Sequence, residues 1–530
     1  MTPDAFITAF VARLAPVDRA LQLAWWDSNT ENNPEAIERL QTLSEQRMAL
    51  FTDPAEWQKV QHWYATREQL TDPDLRRQIE LLYLDFAANQ RTPEQIAHVA
   101  HLESSLEATY AAFRGTLVGK PQSDNELLDV LLHSRDSATV QAAWEASKQI
   151  GPQVQPDLLE LVRLRNTIAQ EHGYPDYYVQ QLFLQEIDPG VLTTLLDEVD
   201  QVTAGPFAAA KADLDRQLAQ RFGIAPAELR PWHYGDPFFQ SAPPSEGNES
   251  DTPYAEQDVV ALGIESFAAQ GFDVGDIIES SDLFERPGKN QHAFCTQIDR
   301  QVNDVRVLCN LRPTARWMDT MLHELGHAVY DKYIPSDLPY LLRAVAHINT
   351  TEAIAMLMGR QALNGRWLTT VRKLDLEAAN QLELGAKTEQ RLGMLIFARW
   401  VLVMAHFERE LYANPDRRDL NTLWWDLVER FQLLHRPDGR DQPDWAAKIH
   451  LAVAPVYYHN YLLGELTASQ LEHYIEREVI GNAVVANPAV GPFLREKLFA
   501  LGARYPWNEA LERVTGERLT ARHFVEQFVA

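Results

Sequence analysis

Residues 312–330, Arg-Pro-Thr-Ala-Arg-Trp-Met-Asp-Thr-Met-Leu-His-Glu-Leu-Gly-His-Ala-Val-Tyr, limit what this chain can become more than any other stretch. Trp317, Met321, Leu325, Ala328 and Val329 recur at helical spacing, Pro313 suits a first helical turn, and Pro335 forbids continuation. The pattern predicts one helix with a buried apolar stripe. His323 and His327, four residues apart, then fall one above the other on a different face, with Glu324 beside them. Gly326 lies inside this helix at a cost of about 1 kcal/mol relative to alanine, which implies close approach of another backbone or a ligand.

Two imidazoles so placed can hold one metal ion, and His-Glu-x-x-His is the spacing of zinc hydrolases. A catalytic zinc wants three protein ligands and a water. Downstream, Glu352 follows His327 by 25 residues, in 346–356, Ala-His-Ile-Asn-Thr-Thr-Glu-Ala-Ile-Ala-Met. Asn349 with Glu352 also has capping-box spacing, so a helix-start carboxylate competes with the ligand role. The need for a third ligand favours the metal.

The chain has 530 residues, past the size at which a single core stops growing, so at least two lobes are expected. A formal net charge of -27 argues against nucleic acid as a partner. The start of the chain carries an acid, Asp4, and no basic leader, and the most hydrophobic run, 394–407, is broken by Arg399 and His406 and is too short to cross a bilayer. Two cysteines, Cys295 and Cys309, exclude a disulfide framework. A cytoplasmic protein without membrane attachment is expected; no feature fixes an oligomeric state.

Residues 1–235 predict successive amphipathic helices punctuated by Pro34, Pro54, Pro73, Pro93, Pro121 and Pro156. Trp25 and Trp26 suggest core at a helix end that runs into a polar loop over 27–33, and Trp144 to Tyr174 suggests two packed helices with a glycine stop at Gly173. The expected division is an N-terminal helical lobe and lid over 1–240, a surface loop or linker over 241–256, and a catalytic lobe over 257–530. Residues 292–298 and 305–309 alternate around a polar middle and predict a β-hairpin that enters the metal helix directly. An edge strand beside a hydrolytic metal suits extended peptides, which it pairs through main-chain hydrogen bonds. In the late stretch 445–461, Pro455 divides two segments, and Tyr457 or Tyr458 with Tyr461 would share a helical face, which by itself means aromatic core.

Taken in order, His292-Ala293, His323-Glu324-x-x-His327, Glu352-Ala353-Ile354 and Lys448-x-His450 followed by tyrosines resemble the angiotensin-converting enzyme family of metallopeptidases, in a bacterial, single-domain form. Weaker echoes over 24–30, 144–174 and 424–425 extend the resemblance along the chain. It implies a mainly α-helical, two-lobed ellipsoid with a deep central groove and a small β-hairpin beside the zinc helix. Zn2+ would be bound by His323, His327 and Glu352, and Glu324 would be general base and then proton donor. His450 and Tyr461 would stabilise the oxyanion, with Lys448 and either Tyr457 or Tyr458 gripping the substrate carboxylate and His292 and Ala293 lining the peptide.

Three positions depart from the family. Met356 stands where an aspartate normally supports a ligand histidine, so His323 needs another partner, Val428 stands where an arginine serving a chloride site is expected, and Tyr234 stands where dipeptide-releasing members carry a glutamine. The expected activity is hydrolysis of short peptides with release of C-terminal dipeptides. The alternatives are an oligoendopeptidase like the thimet family, a metallocarboxypeptidase, or an inactive helical scaffold with a structural zinc.

Overall fold

A computed structural model describes residues 1–31, 33–243 and 250–529. The protein is mainly α, and among the described residues its two small sheets are single antiparallel hairpins. Local chemistry explains where the N-terminal helices begin. Pro3, Pro34, Pro54, Pro73 and Pro93 each open a helix directly after a capping side chain, Thr2, Asn33, Asp53, Asp72 or Thr92, which accepts a backbone N–H of the first turn. Two other prolines depart from the expected punctuation. Pro121 falls in a short strand, and Pro156 lies within the helix Gly151–Glu171.

The first hairpin, β1 (Gly115–Leu117) and β2 (Lys120–Gln122), was not foreseen. Each strand has three residues, too few to show alternation, and the reversal lies in the left-handed backbone of Val118 (φ 50) and Gly119 (φ 74). The first helix, Pro3–Thr30, continues through 27–30, which the sequence had suggested as loop, because Asn29 and Thr30 turn their side chains back onto the Trp25 and Trp26 carbonyls. Trp26 is buried and Trp25 only partly so. The helices Ser137–Lys148 and Gly151–Glu171 form as expected, with Gly173 at φ 85 after the second.

Chain contacts draw two compact units that interleave along the sequence. One comprises Met1–Gln90, Glu249–Ala386 and Leu463–His523; the other comprises Arg91–Asn248, Lys387–Leu462 and Phe524–Ala530. This differs from the linear division at 241–256, because long helices such as Leu376–Ala413 carry the chain from one unit to the other. The centre of that expected loop, 244–249, lies outside the described residues.

The first unit has an aromatic core in which Phe6 and Phe10 meet Phe51 and Phe86. The second hairpin, β3 (Phe294–Asp299) and β4 (Asp304–Leu308), lies in this unit, is the predicted one and starts two residues later than expected. Phe294, Ile298 and Leu308 on one face pack with Leu23 and Trp26 of the first helix. The second unit is built round Trp400, whose ring meets those of Phe238, Trp424 and Tyr458. No helix of the described residues is long and apolar enough to cross a membrane.

Candidate metal centre

The motif helix runs Ala315–Lys332, and its first-turn N–H group at Trp317 is capped by the Thr314 hydroxyl. Pro313 therefore precedes the cap instead of occupying the first turn, because Thr314 supplies an oxygen that proline lacks. Met321, Leu325, Ala328 and Val329 are fully buried, and Trp317 is partly exposed. A Cβ on Gly326 would stand 2.7 Å from Ala355 Cα and 3.1 Å from Ile354 O. The glycine is thus where the following helix, Ile348–Gly359, crosses the motif helix backbone to backbone.

That crossing brings Glu352 to the histidines. The second helix is capped by His347, whose ring accepts the Asn349 N–H at 3.1 Å, so the expected Asn349–Glu352 box does not form. Glu352 sits beyond the first turn, with Oε2 3.6 Å from His323 Nε2 and 3.9 Å from His327 Nε2. The three possible donor atoms lie within 4.8 Å of one another. Donors held about 2.0–2.2 Å from a tetrahedral ion stand roughly 3.3–3.6 Å apart, so the set fits one zinc-sized cation with little adjustment. His327 Nδ1 meets Thr351 Oγ1 at 2.7 Å, which leaves its Nε2 free to ligate. His323 makes no comparable contact through Nδ1 among the described residues.

The electrostatics fit the same purpose. Burial holds His323 down to about 4, and burial with its neighbour His323 holds His327 down to about 3, so both imidazoles are neutral, the form that binds metal. Burial, then the charge of Glu465, raises Glu352 to about 7. Burial, then the charge of Glu352, raises Glu324 to about 8, against which the backbone N–H of Cys295 acts in the other direction. Two carboxyl groups pushed up together are groups that a cation would return to the ionised state. His292 is exposed and Ala293 partly buried, both just ahead of β3. Cys295 and Cys309 are free thiols.

In the second unit, Lys448 is buried and donates to Gln240 Oε1 at 2.6 Å, and the Tyr458 hydroxyl, which accepts from Trp400 Nε1 at 2.8 Å, reaches the same oxygen at 3.4 Å. Sequence reasoning missed Gln240 and looked instead at Tyr234, whose hydroxyl is occupied by Asp215 and Lys211. Nothing in the local sequence marks Gln240; only the folded chain brings it to a lysine 208 residues away. Burial lowers Lys448 to about 8, and burial with the charge of Lys448 lowers His450 to about 4. His450 Nδ1 is buried without a hydrogen-bond partner among the described residues.

The tyrosines follow a tight turn at Val456 (φ 54), pinned by Glu408, which accepts the Val456 N–H, and by Gln185, which donates to its carbonyl. Tyr457 and Tyr458 therefore precede the helix His459–Tyr474 and do not share its face, as spacing had suggested, although both rings pack against Tyr461 at 5.2 and 5.4 Å.

Comparison with known proteins agrees with this arrangement. The family model described as angiotensin-converting enzyme matches residues 2–225, and that of peptidase family M3 matches residues 277–530, which contain the His-Glu-x-x-His segment. The chain is 24% identical over 455 residues to angiotensin-converting enzyme-like protein Ace3 of Mus musculus, covering 76% of this chain and 59% of that one. It is 25% identical over 340 residues to angiotensin-converting enzyme of Haematobia irritans exigua, covering 59% and 49%. A shorter likeness, 29% over 131 residues, 24% of this chain and 26% of the other, is to thermostable carboxypeptidase 1 of Pyrococcus furiosus. The chain thus spans about half to three-fifths of the angiotensin-converting enzyme relatives it matches. With a helical fold and a His-His-Glu group of ligating geometry, the chain is similar to the angiotensin-converting enzyme family over its first part and to peptidase family M3 over the part that carries the motif.

Proposed function

We propose that this protein is a zinc-dependent peptidase that hydrolyses short peptides and releases C-terminal dipeptides. The observation that carries the reading is the convergence of His323, His327 and Glu352 on one point, with Glu324 on the same helix and beside a strand edge. Zinc bound by the three side chains would polarise the scissile carbonyl and lower the pKa of water to about 7. Glu324 would take the proton of the attacking water and return it to the leaving amine, and burial, which raises its carboxyl, suits it to hold that proton. His450 and Tyr461 would donate to the oxyanion, each contributing about two or three orders of magnitude in rate. His292 and Ala293 would guide the peptide toward β3.

Dipeptide release is supported by the Lys448–Gln240–Tyr458 cluster, in which a cation, an amide and a hydroxyl lie together as a carboxylate requires. The match of the motif-bearing half to family M3 favours a second reading, an endopeptidase indifferent to the substrate C-terminus. The strong net negative charge disfavours nucleic acid, and two free thiols suit a reducing cytoplasm.

Mass spectrometry of products from a mixed peptide library, with and without chelator, tests the activity and the product length together. Glu324→Gln should keep stoichiometric zinc and lose at least about 10²-fold in kcat, because glutamine keeps the shape and removes the base. Substantial turnover by the zinc-loaded variant would remove Glu324 from the mechanism.

A further inference from the structure

The hairpin has one covered edge and one open edge. Residues 282 and 283 lie along β4: Asp282 donates its N–H to Val307 O at 3.0 Å and accepts from Cys309 N at 2.9 Å. No other segment of the described residues pairs through its main chain with the outer edge of β3. A cavity of about 530 Å3 runs there, walled by residues 295–300, by Asp18 and Gln22 of the first helix, by Tyr340, and by Asp331 near the end of the motif helix.

The charges in this cavity are not evenly satisfied. Arg47 is held by Asp18 at 2.8 Å and Arg19 by Asp299 at 3.2 Å. Arg300 stands over the Tyr340 ring at 5.1 Å and also acts on the half-buried Asp85. Asp331 alone among these acids has neither a hydrogen bond nor an ion pair among the described residues. It feels Arg300 only at a distance, and burial lifts its carboxyl to about 7. A second polar group, Gln297 Nε2, is buried in the same wall without a partner. Leaving a carboxylate in a cavity without a donor is costly unless something else supplies one.

The position of Asp331 is as informative as its lack of a partner. It follows Glu324 by seven residues on one helix, hence on the same face and about 10.5 Å further along. An extended peptide advances about 3.3–3.6 Å per residue, so a chain on β3 with its cleaved bond at Glu324 reaches Asp331 about three residues away. Under dipeptide release only two residues lie beyond the bond on the carboxyl side, so the third residue lies on the amino side.

From this we propose that Asp331 and the cavity along β3 form a subsite for a protonated amine or guanidinium of the substrate, three residues to the amino side of the cleaved bond. The inference rests on the peptidase reading. The cation has two sources of the same chemistry, the α-ammonium of a pentapeptide or a lysine or arginine side chain in a longer peptide.

Two peptide series separate them: pentapeptides with free or acetylated amino termini, and longer acetylated peptides with lysine or glutamine scanned through each upstream position. For the wild type kcat/KM should be about tenfold higher for the cationic member, and in the longer series only at the third position. The ratio should fall toward one in Asp331→Asn and persist in Asp331→Glu, which restores the charge. Calorimetric binding of the same peptides to Glu324→Gln should show the same preference without turnover. Preference in one series alone identifies the source of the cation. Hydrolysis with no charge preference, a preference at another position, or one that survives in Asp331→Asn overturns the subsite and leaves the peptidase standing. Absence of hydrolysis with an intact binding preference overturns the peptidase and leaves the subsite. Should Asp331→Asn fail to fold, the wild-type position scan and Asp331→Glu still decide.

Discussion

Replacing Gly326 with alanine should perturb the candidate metal centre without touching a candidate ligand. The new Cβ would stand 2.7 Å from Ala355 Cα, and the nearest ordinary contact is about 3.4 Å, so the motif helix and the helix Ile348–Gly359 must part by about 0.7 Å. The obstacle is main chain, which cannot rotate aside as a side chain would. Overpacking of this kind costs about 1–3 kcal/mol. Helix propensity returns about 1 kcal/mol when alanine replaces glycine. The net loss of stability is therefore about 0–2 kcal/mol, a few degrees of Tm at most.

The effect on the metal should be much larger. One helix carries His323 and His327 and the other carries Glu352, so separating them moves the carboxylate from the imidazoles by a similar distance. Metal–ligand distances tolerate only about 0.2 Å, and displacement of supporting groups typically costs 10–100-fold in affinity. Competition against a chromophoric chelator should show zinc affinity reduced by about that factor, with a Tm close to wild type. Ala355→Gly should not rescue the variant, because the clash is with Cα and that substitution removes only Cβ. Unchanged zinc affinity together with a raised Tm would show that the helices are free to separate, and would refute the argument that this crossing sets the ligand geometry.

Gly464→Ala should weaken zinc by a smaller factor in the same assay, since a Cβ there meets Glu352 Cβ at 3.1 Å and the flexible Met356 side chain at 3.4 Å. Amidating the substrate C-terminus should raise KM about tenfold or more in the wild type and hardly at all in Lys448→Met; equal turnover of acid and amide by the wild type would favour the endopeptidase reading. Lys148, buried over the Phe238 ring at 3.2 Å, is lowered to about 7 chiefly by burial. Its unfolded form binds more protons than its folded form between that value and the usual lysine range near 10.4, so this group makes stability rise with pH across the window. Lys148→Met should therefore flatten the rise of Tm between about pH 7 and 10; an unchanged slope would assign the pH dependence elsewhere.

What could be read in advance was what lies within one helix or one hairpin. The ligand spacing, the backbone contact at Gly326 and the alternation of β3 and β4 are periodic or local, and each left its trace within about twenty residues. Helix starts were legible where proline followed a capping residue, and illegible at the motif helix, where Thr314 rather than Pro313 decides the boundary. The unread features join distant parts of the chain. Gln240 meets Lys448 across 208 residues, Gln185 reaches Val456 across 271, and Asn29 pairs with Asn290 across 261. No pattern in either segment encodes such a meeting, because many polar residues have equal local reason to be there and only burial selects among them.

The same argument explains why the third candidate ligand was harder to read than the first two. His323 and His327 specify each other through helical period, whereas Glu352 had a competing local use as a capping carboxylate. What removes the competition is His347, whose ring takes the N–H group that Asn349 and Glu352 would otherwise have organised, and so sets the helix start one residue before Asn349. Glu352 is then one turn inside, on the side that Gly326 allows close to the motif helix. Cap, glycine and carboxylate form a single device. His347 fixes the phase of the second helix, Gly326 fixes its distance, and together they bring Glu352 within 4 Å of both imidazoles. His347→Ala, with the cap lost and the glycine intact, should therefore act on the angle of approach and not on the separation. It should weaken zinc while leaving the helix–helix packing that Gly326→Ala disturbs.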